Sequence, residues 1–515
     1  MKGKNKSQLK AGAILSYVTL FLNSGISILY TPIMLRMLGQ SEYGLYSLAA
    51  SLAGYIGVLN FGLGNAVIRY TAKYRAENDE EGSYRLFGMF TKMYGILGIV
   101  ALIAGTILTH YSHYFFSNTL SIEEVIRLKT IMGIMTFNIS IGIGLGLFSV
   151  IVLAYEKFII QKMISIVSSI INPIIMLPLL YMGYGTITMA IVTTLINIIS
   201  ILINIYFCFK VIKIKVHFEK INYNLLKEII IFSLYIFLNL VIGTLYAQTD
   251  QFILGIYSGT VAVSIYAIGA TFTGYFSGFS SAISNVFLSK VSGMVVNEVS
   301  DKDLSNLFIR IGRIQYIVIA FAFSGFFVFG QEFISLWVGS EYNQSYTIAL
   351  LILVPLILFL IQGMGGIILQ AKNMHGFKTI NNIFMAIFNV ILSLIFVQWW
   401  GAIGCALATG VSYMIGNIII MNYYYWRKIN IDIVDFWKNI LFMSAPLAIS
   451  LLFGITLNKQ ILAESWVFLL TKIVVFSVFF LIIMWFTGMN QYERDLFKGP
   501  LKKINNKLRL KDNVA

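Results

Sequence analysis

The chain has 515 residues, of which 58% are hydrophobic and only 11% charged, and its formal net charge is +15. A soluble domain carries about 25% charged residues, so a chain this long and this apolar cannot cover a water-facing surface, and hydrocarbon is the solvent that suits it. Its basic residues lie in short clusters between apolar runs; that pattern argues against nucleic acid as a partner and for charges that orient the chain in a bilayer.

The N-terminus, MKGKNKSQLK, leads into an apolar stretch without a small-residue cleavage site, which reads as a retained first span. A crossing helix needs about 20 apolar residues. By that measure the sequence predicts fourteen spans, an all-α polytopic membrane protein. Spans one to eight fall at 11–35, 43–66, 88–109, 128–153, 160–182, 185–208, 228–249 and 260–287. Spans nine to fourteen fall at 312–331, 345–369, 379–398, 401–424, 438–456 and 465–487. Very short hairpins are expected at Tyr184-Gly185 and Trp400-Gly401, with larger inner loops at about 67–87, 209–227 and 288–311. Pro32, Pro173, Pro178 and Pro355 fall inside spans and are expected to kink them, Pro32 as a hinge;. Cys208 and Cys405 lie in apolar runs and read as small core residues;.

The basic residues test this count. Of the 37 Lys and Arg, only Arg36, Arg127, Lys129, Lys459 and Lys472 fall on one side, with Lys92 assigned to the other. One wrong span would scramble the alternation downstream. An even number of crossings with both termini in the cytoplasm follows from the positive-inside bias.

The two halves repeat at a constant offset of 220 residues: Gly39, Tyr46, Ala50, Gly54, Tyr55 and Asn65 recur as Gly259, Tyr266, Ala270, Gly274, Tyr275 and Asn285. Further on, Asn172 recurs as Asn389 and Thr193 as Thr409. The repeating unit holds six spans, so both copies enter the membrane alike, as a parallel repeat. The expected domains are an N-terminal lobe at 1–211, a C-terminal lobe at 212–428, and spans thirteen and fourteen with a basic tail at 429–515. Two like lobes around a central space suit a transporter that rocks between two open states.

The stretch from Tyr30, YTPIMLRMLGQSEYGLYSLAASLAGYIGVLNFGLGNAVIRYTAKYRAENDEE, resembles the opening of Wzx-type polysaccharide flippases. TDQFILGIYSGTVAVSIYAIGA from Thr249 resembles their seventh and eighth spans, and NPIIMLPLLYMGYGTITMAIVTT from Asn172 is also typical. The resemblance covers most of the chain and implies the multidrug/oligosaccharidyl-lipid/polysaccharide export superfamily. It implies a flippase that carries polyprenyl-diphosphate-linked oligosaccharides from the inner to the outer leaflet of the cytoplasmic membrane. Its surroundings would be membrane lipids, a glycan polymerase and glycosyltransferases. No enzyme activity and no cofactor are expected, apart from coupling to Na+ or H+.

A diphosphate headgroup in hydrocarbon calls for cations. The candidates are Arg69, Lys290, Arg310 and Arg313, whose alternative is positive-inside anchoring with snorkelling, and Arg36 at the outer end of span one, whose alternative is likewise a snorkelling anchor;. Lipid II flippases carry arginines within span one, whereas this chain has none between Lys10 and Arg36, so that site is not carried over. Tyr46, Tyr266, Asn65 and Asn285 are candidates for sugar contact, or for packing between helices;. Asp250, near the outer end of span seven, is the candidate ion-coupling acid, with Asn382 and Asn389 on span eleven as further oxygen donors;. The alternative for Asp250 is an interfacial aspartate in water. Two rival functions stand beside the flippase: a cation-coupled multidrug exporter, which more often stops at twelve spans, and a membrane-embedded polymerase or glycosyltransferase. The latter needs an outer acidic pair, for which only Glu123-Glu124 is available.

Overall fold

A computed structural model describes the backbone of residues 2–220, 222–374, 376–460, 465–496 and 498, with side chains from residue 15 onward except at 16, 17, 20, 285 and 289. The C-terminal basic tail at 499–515 lies outside the described residues, and so does the Asn285 side chain. Among the described residues every regular element is helical. Thirteen helices are long and apolar enough to cross a membrane. The longest of them, at 376–428, holds Gly401 at φ +51°, ψ −126°. Glycine tolerates that backbone where other residues do not. The break falls between expected spans eleven and twelve, so one candidate accounts for two of the fourteen crossings.

The chain forms two compact units, one of residues 1–268 with 386–408, the other of residues 269–385 with 409–515. These units follow packing; the lobes at 1–211 and 212–428 follow the internal repeat and are a separate division.

The first unit holds α1 (Lys2–Leu38), α2 (Gln40–Gly57), α3 (Leu63–Ala76), α4 (Glu80–Phe116), α5 (Ile122–Leu145), α6 (Leu147–Ala154), α7 (Phe158–Tyr181), α8 (Thr186–Tyr206) and α9 (Tyr223–Tyr257). It also takes the first part of α10 (Gly259–Ser284). Span two breaks at Phe61 and Gly62, both with positive φ, so its inner part continues as α3. Span four breaks at Gly146 into α5 and α6. The inner connection expected as a loop at 67–87 is largely helix, because Asp79 caps α4 by accepting from the Gly82 amide at 2.7 Å;. Below it, Val67, Tyr70, Phe87, Phe90, Ile151 and Cys208 form a buried cluster that ties α3, α4 and α6 together. Pro32 lies inside α1, and Pro173 and Pro178 inside α7.

The second unit continues with α11 (Leu288–Val296), α12 (Asp301–Val338), α13 (Asn343–Leu360), α14 (Gly363–Ala371), parts of α15 (Gly376–Tyr413), α16 (Met421–Lys428), α17 (Ile433–Gln460) and α18 (Trp466–Ile483). The expected loop at 288–311 is again mostly helix: Ser300 caps α12 on the Asp303 amide. Pro355 lies inside α13. Two ion pairs fasten α12 to the segment that follows span fourteen and to span fourteen itself, α18; the first is buried and the second is partly exposed at its carboxylate. Arg313 meets Glu493 at 2.6 Å, and Lys472 meets Glu332 at 2.6 Å. The two anchor points on α12 lie nineteen positions apart, which at the helical rise is about 28 Å, close to the thickness of a hydrocarbon core.

A polar cavity and a buried carboxylate in the first unit

Asp250 sits on α9 and is 2% exposed, so it is not the interfacial aspartate that its place near a span end allowed. The Tyr266 hydroxyl donates to one carboxylate oxygen at 2.5 Å and the Ser393 hydroxyl to the other at 2.8 Å. Burying a charge is costly unless hydrogen bonds replace its water, and these two hydroxyls supply part of that replacement. Next to Asp250 in sequence, Thr249 shares a 2.8 Å hydrogen bond with Tyr55. Tyr266, expected as a sugar contact, is therefore a partner of the acid. Asn389 is buried one helical turn before Ser393, while Asn382 belongs to the second unit and is half-buried.

A cavity of about 720 Å³ lies between α1, α5, α7 and α8. Its wall is a polar seam. On α7 the residues Gln161, Ser165, Ser168 and Asn172 recur every three or four positions; on α8 so do Thr193, Asn197, Ser200 and Asn204. At 3.6 residues per turn each set lies on one helix face. The antiparallel helices bring the sets together rung by rung. Gln161 donates to Asn204 at 2.5 Å, Ser168 and Ser200 share a hydrogen bond of 3.1 Å, and Asn172 donates to Thr193 at 3.3 Å. Asn197 turns instead to α5, donating to the Asn138 carbonyl at 2.6 Å. Asn138, Gly142, Gly146, Ser149 and Asn197 also border a second cavity of about 340 Å³, whose wall includes Asn60 and Gly64. The Asn138–Asn197 pair thus stands in the wall between two polar spaces.

Of the residues singled out by sequence, Tyr46 touches this site through a hydrogen bond to Thr193. Asn65 is exposed on α3 and lines neither cavity. Arg69 is exposed, with its guanidinium over the Phe232 ring at 4.9 Å. Arg36 is exposed in the last turn of α1, and Lys290 is exposed on α11. Arg310 is exposed and lies over the Tyr492 ring at 4.4 Å, whereas Arg313 is 6% exposed. The Arg313 guanidinium donates to both Glu493 oxygens, to Asn439 at 3.2 Å and to the Gly488 carbonyl at 3.1 Å. That commitment makes it a brace. Glu124, half of the acidic pair a polymerase would need, caps α5 and accepts from Ser41 at 2.6 Å and Thr260 at 3.0 Å. The α7–α8 seam was not singled out by sequence, although its signal was there: polar residues at helical spacing inside two strongly apolar spans.

The fold and the site define a many-spanned helical membrane protein that keeps amide-lined space between its crossing helices. Residues 9–288 match the family described as polysaccharide biosynthesis protein, and the chain belongs to that family. Among curated relatives, it is 24% identical over 211 residues to the probable low-salt glycan biosynthesis flippase Agl15 of Haloferax volcanii, covering 41% of this chain and 44% of that protein. It is 25% identical over 194 residues to the putative O-antigen transporter of Salmonella typhimurium, covering 35% and 41%. The chain thus matches under half the length of these relatives. Its fold is similar to that of the lipid II flippase MurJ in an inward closed conformation, with TM-score 0.74 at 17% identity, over 95% of this chain and 99% of that one. It is also similar to an inward-facing multidrug resistance MATE family transporter, with TM-score 0.63 at 17% identity, over 79% and 98%.

Proposed function

We propose that this protein is a flippase that moves undecaprenyl-diphosphate-linked oligosaccharide repeat units from the inner to the outer leaflet of the cytoplasmic membrane, for surface polysaccharide synthesis. The observation that carries the reading is the extent of the likeness. The flippase fold matches 95% of the chain, while the drug-transporter fold matches 79%. That difference favours a carrier with two spans beyond the twelve of an exporter. The curated relatives named as a glycan flippase and an O-antigen transporter point the same way.

In this reading the lobes at 1–211 and 212–428 alternate access to the two leaflets, both termini are cytoplasmic, and the polyprenyl tail stays in lipid. Asp250 is the coupling acid, taking up H+ or Na+; a carboxylate flanked by two hydroxyl oxygens is a chemistry that suits either ion;. The basic residues exposed near the inner ends of the helices, Arg69, Lys290 and Arg310, attract the diphosphate. Glycosyltransferases supply the substrate and a polymerase consumes it.

Deleting the gene tests this. Finished lipid-linked repeat units should accumulate in the inner leaflet, and surface glycan should fall. Drug sensitivity with surface glycan intact would overturn the reading in favour of an exporter.

A further inference from the structure

We propose that the cavity between α1, α5, α7 and α8 binds the uncharged sugar portion of the lipid-linked substrate and leaves the diphosphate outside. This rests on the flippase reading and adds where, and by what chemistry, the glycan is held.

Fourteen of the twenty-two lining residues carry an amide or hydroxyl side chain, and no charged side chain lines the cavity among the described residues. Amides and hydroxyls both donate and accept, as sugar hydroxyls do. A diphosphate placed here would find no cation, and an uncompensated charge in a low-dielectric interior costs far more than a hydroxyl that finds a partner. A cationic drug would likewise find no carboxylate. The chemistry of the wall therefore selects a neutral, polyhydroxylated guest. The volume, about 720 Å³, lies in the range of about 300–1,000 Å³ typical of small-molecule sites.

The seam also suits passage. From Thr193 to Asn204 it follows α8 for eleven residues, about 16 Å at the helical rise, or roughly half the hydrocarbon thickness. Its rungs already satisfy one another. A sugar hydroxyl that inserts into a rung exchanges one hydrogen bond for others at little net cost. Several similar, individually weak stations hold a polar guest without trapping it, the condition that conduction sets.

The test uses the full chain in lipid nanodiscs, carrying Ser165→Cys, a cavity position exposed in the structure. The native Cys208 and Cys405 are fully buried, so reaction with a water-soluble maleimide reports position 165. Three competitors are compared: lipid-linked glycan extracted from the native membrane, the same glycan released from its lipid and phosphates, and undecaprenyl diphosphate without sugar. The first two should slow labelling at least fivefold, and the third should not. Adding Asn172→Leu should raise the glycan concentration needed for protection at least tenfold. Protection by undecaprenyl diphosphate alone would overturn the proposal, as would no protection by glycan in a variant that still transfers lipid-linked glycan between leaflets. If the unsubstituted chain transfers none, the flippase reading itself falls, and that result is separate from the labelling.

Discussion

The Ser393 hydroxyl donates to the buried Asp250 carboxylate at 2.8 Å, a contact that joins α15 to α9 across 143 positions of sequence. Asp250→Asn keeps the shape of the side chain and removes its charge. If the acid couples transport, leaflet transfer should fall at least tenfold while the amount of protein in the membrane is unchanged. Ser393→Ala removes one donor and leaves the charge, costing about 1–3 kcal/mol of stability but retaining ion-dependent transport. Reconstituted vesicles with imposed proton and sodium gradients separate the two. Gradient-driven transfer that survives Asp250→Asn would remove Asp250 from the coupling step.

Lys472 is 1% exposed within a crossing helix, where it donates to Glu332 and to Asn458, each at 2.6 Å. Removing Glu332 strands the buried Lys472 ammonium, whereas removing Lys472 leaves a carboxylate that is partly exposed. Glu332→Leu alone should therefore destabilise the protein by about 3–5 kcal/mol and Lys472→Met by less, whereas the double apolar variant should return to near the starting stability or above it. Thermal unfolding in detergent measures the cycle. A double variant that loses as much as the two single variants added together would show that the pair is not energetically coupled.

Span positions were readable because each obeys a local rule: enough apolar residues to cross, and basic residues gathered on one side. Lys472 and Arg127 stood against that bias, and each turns out to face a carboxylate, Glu332 and Glu42. Those pairings, 140 and 85 positions apart, leave no local trace. Asp250 was recognisable as an acid in an apolar helix, but its hydroxyl partners, Tyr266 and Ser393, left no local trace. The α7–α8 seam was legible and was passed over because serine and asparagine in a span also serve as packing contacts. Only the facing stripe on the next helix distinguishes a lined cavity from a tight interface.

Arg310 and Arg313 lie one turn apart on α12 and have opposite fates. Arg313 makes a bidentate pair with fully buried Glu493, so Arg313→Lys, which keeps the charge but loses the fork, should still cost roughly 1.5–3 kcal/mol;. Arg310 is exposed over Tyr492, and Arg310→Ala should cost about 1 kcal/mol or less. If Arg310 attracts the diphosphate, that variant should instead raise the half-saturating substrate concentration, more steeply at low salt. A stability loss for Arg310→Ala as large as that for Arg313→Lys would contradict the division of roles.

Gly62 marks the break in span two, at φ +65°, and a Cβ built there would lie 2.5 Å from Ile236 Cγ2 on α9. Two separate costs meet at this residue. An L side chain in the left-handed region costs roughly 1–2 kcal/mol, and an extra carbon in a packed contact typically costs about 1–3 kcal/mol. Gly62→Ala should then lower stability by roughly 2–5 kcal/mol. Shortening the neighbour with Ile236→Ala removes the 2.5 Å contact and leaves the Cβ of residue 236 at 3.0 Å. The penalty of Gly62→Ala measured in that background should shrink towards the conformational part, about 1–2 kcal/mol. A penalty that vanishes there would mean that the break relaxes to an ordinary helix when the contact allows it. A penalty that stays undiminished would mean that α9 does not press on the break at all.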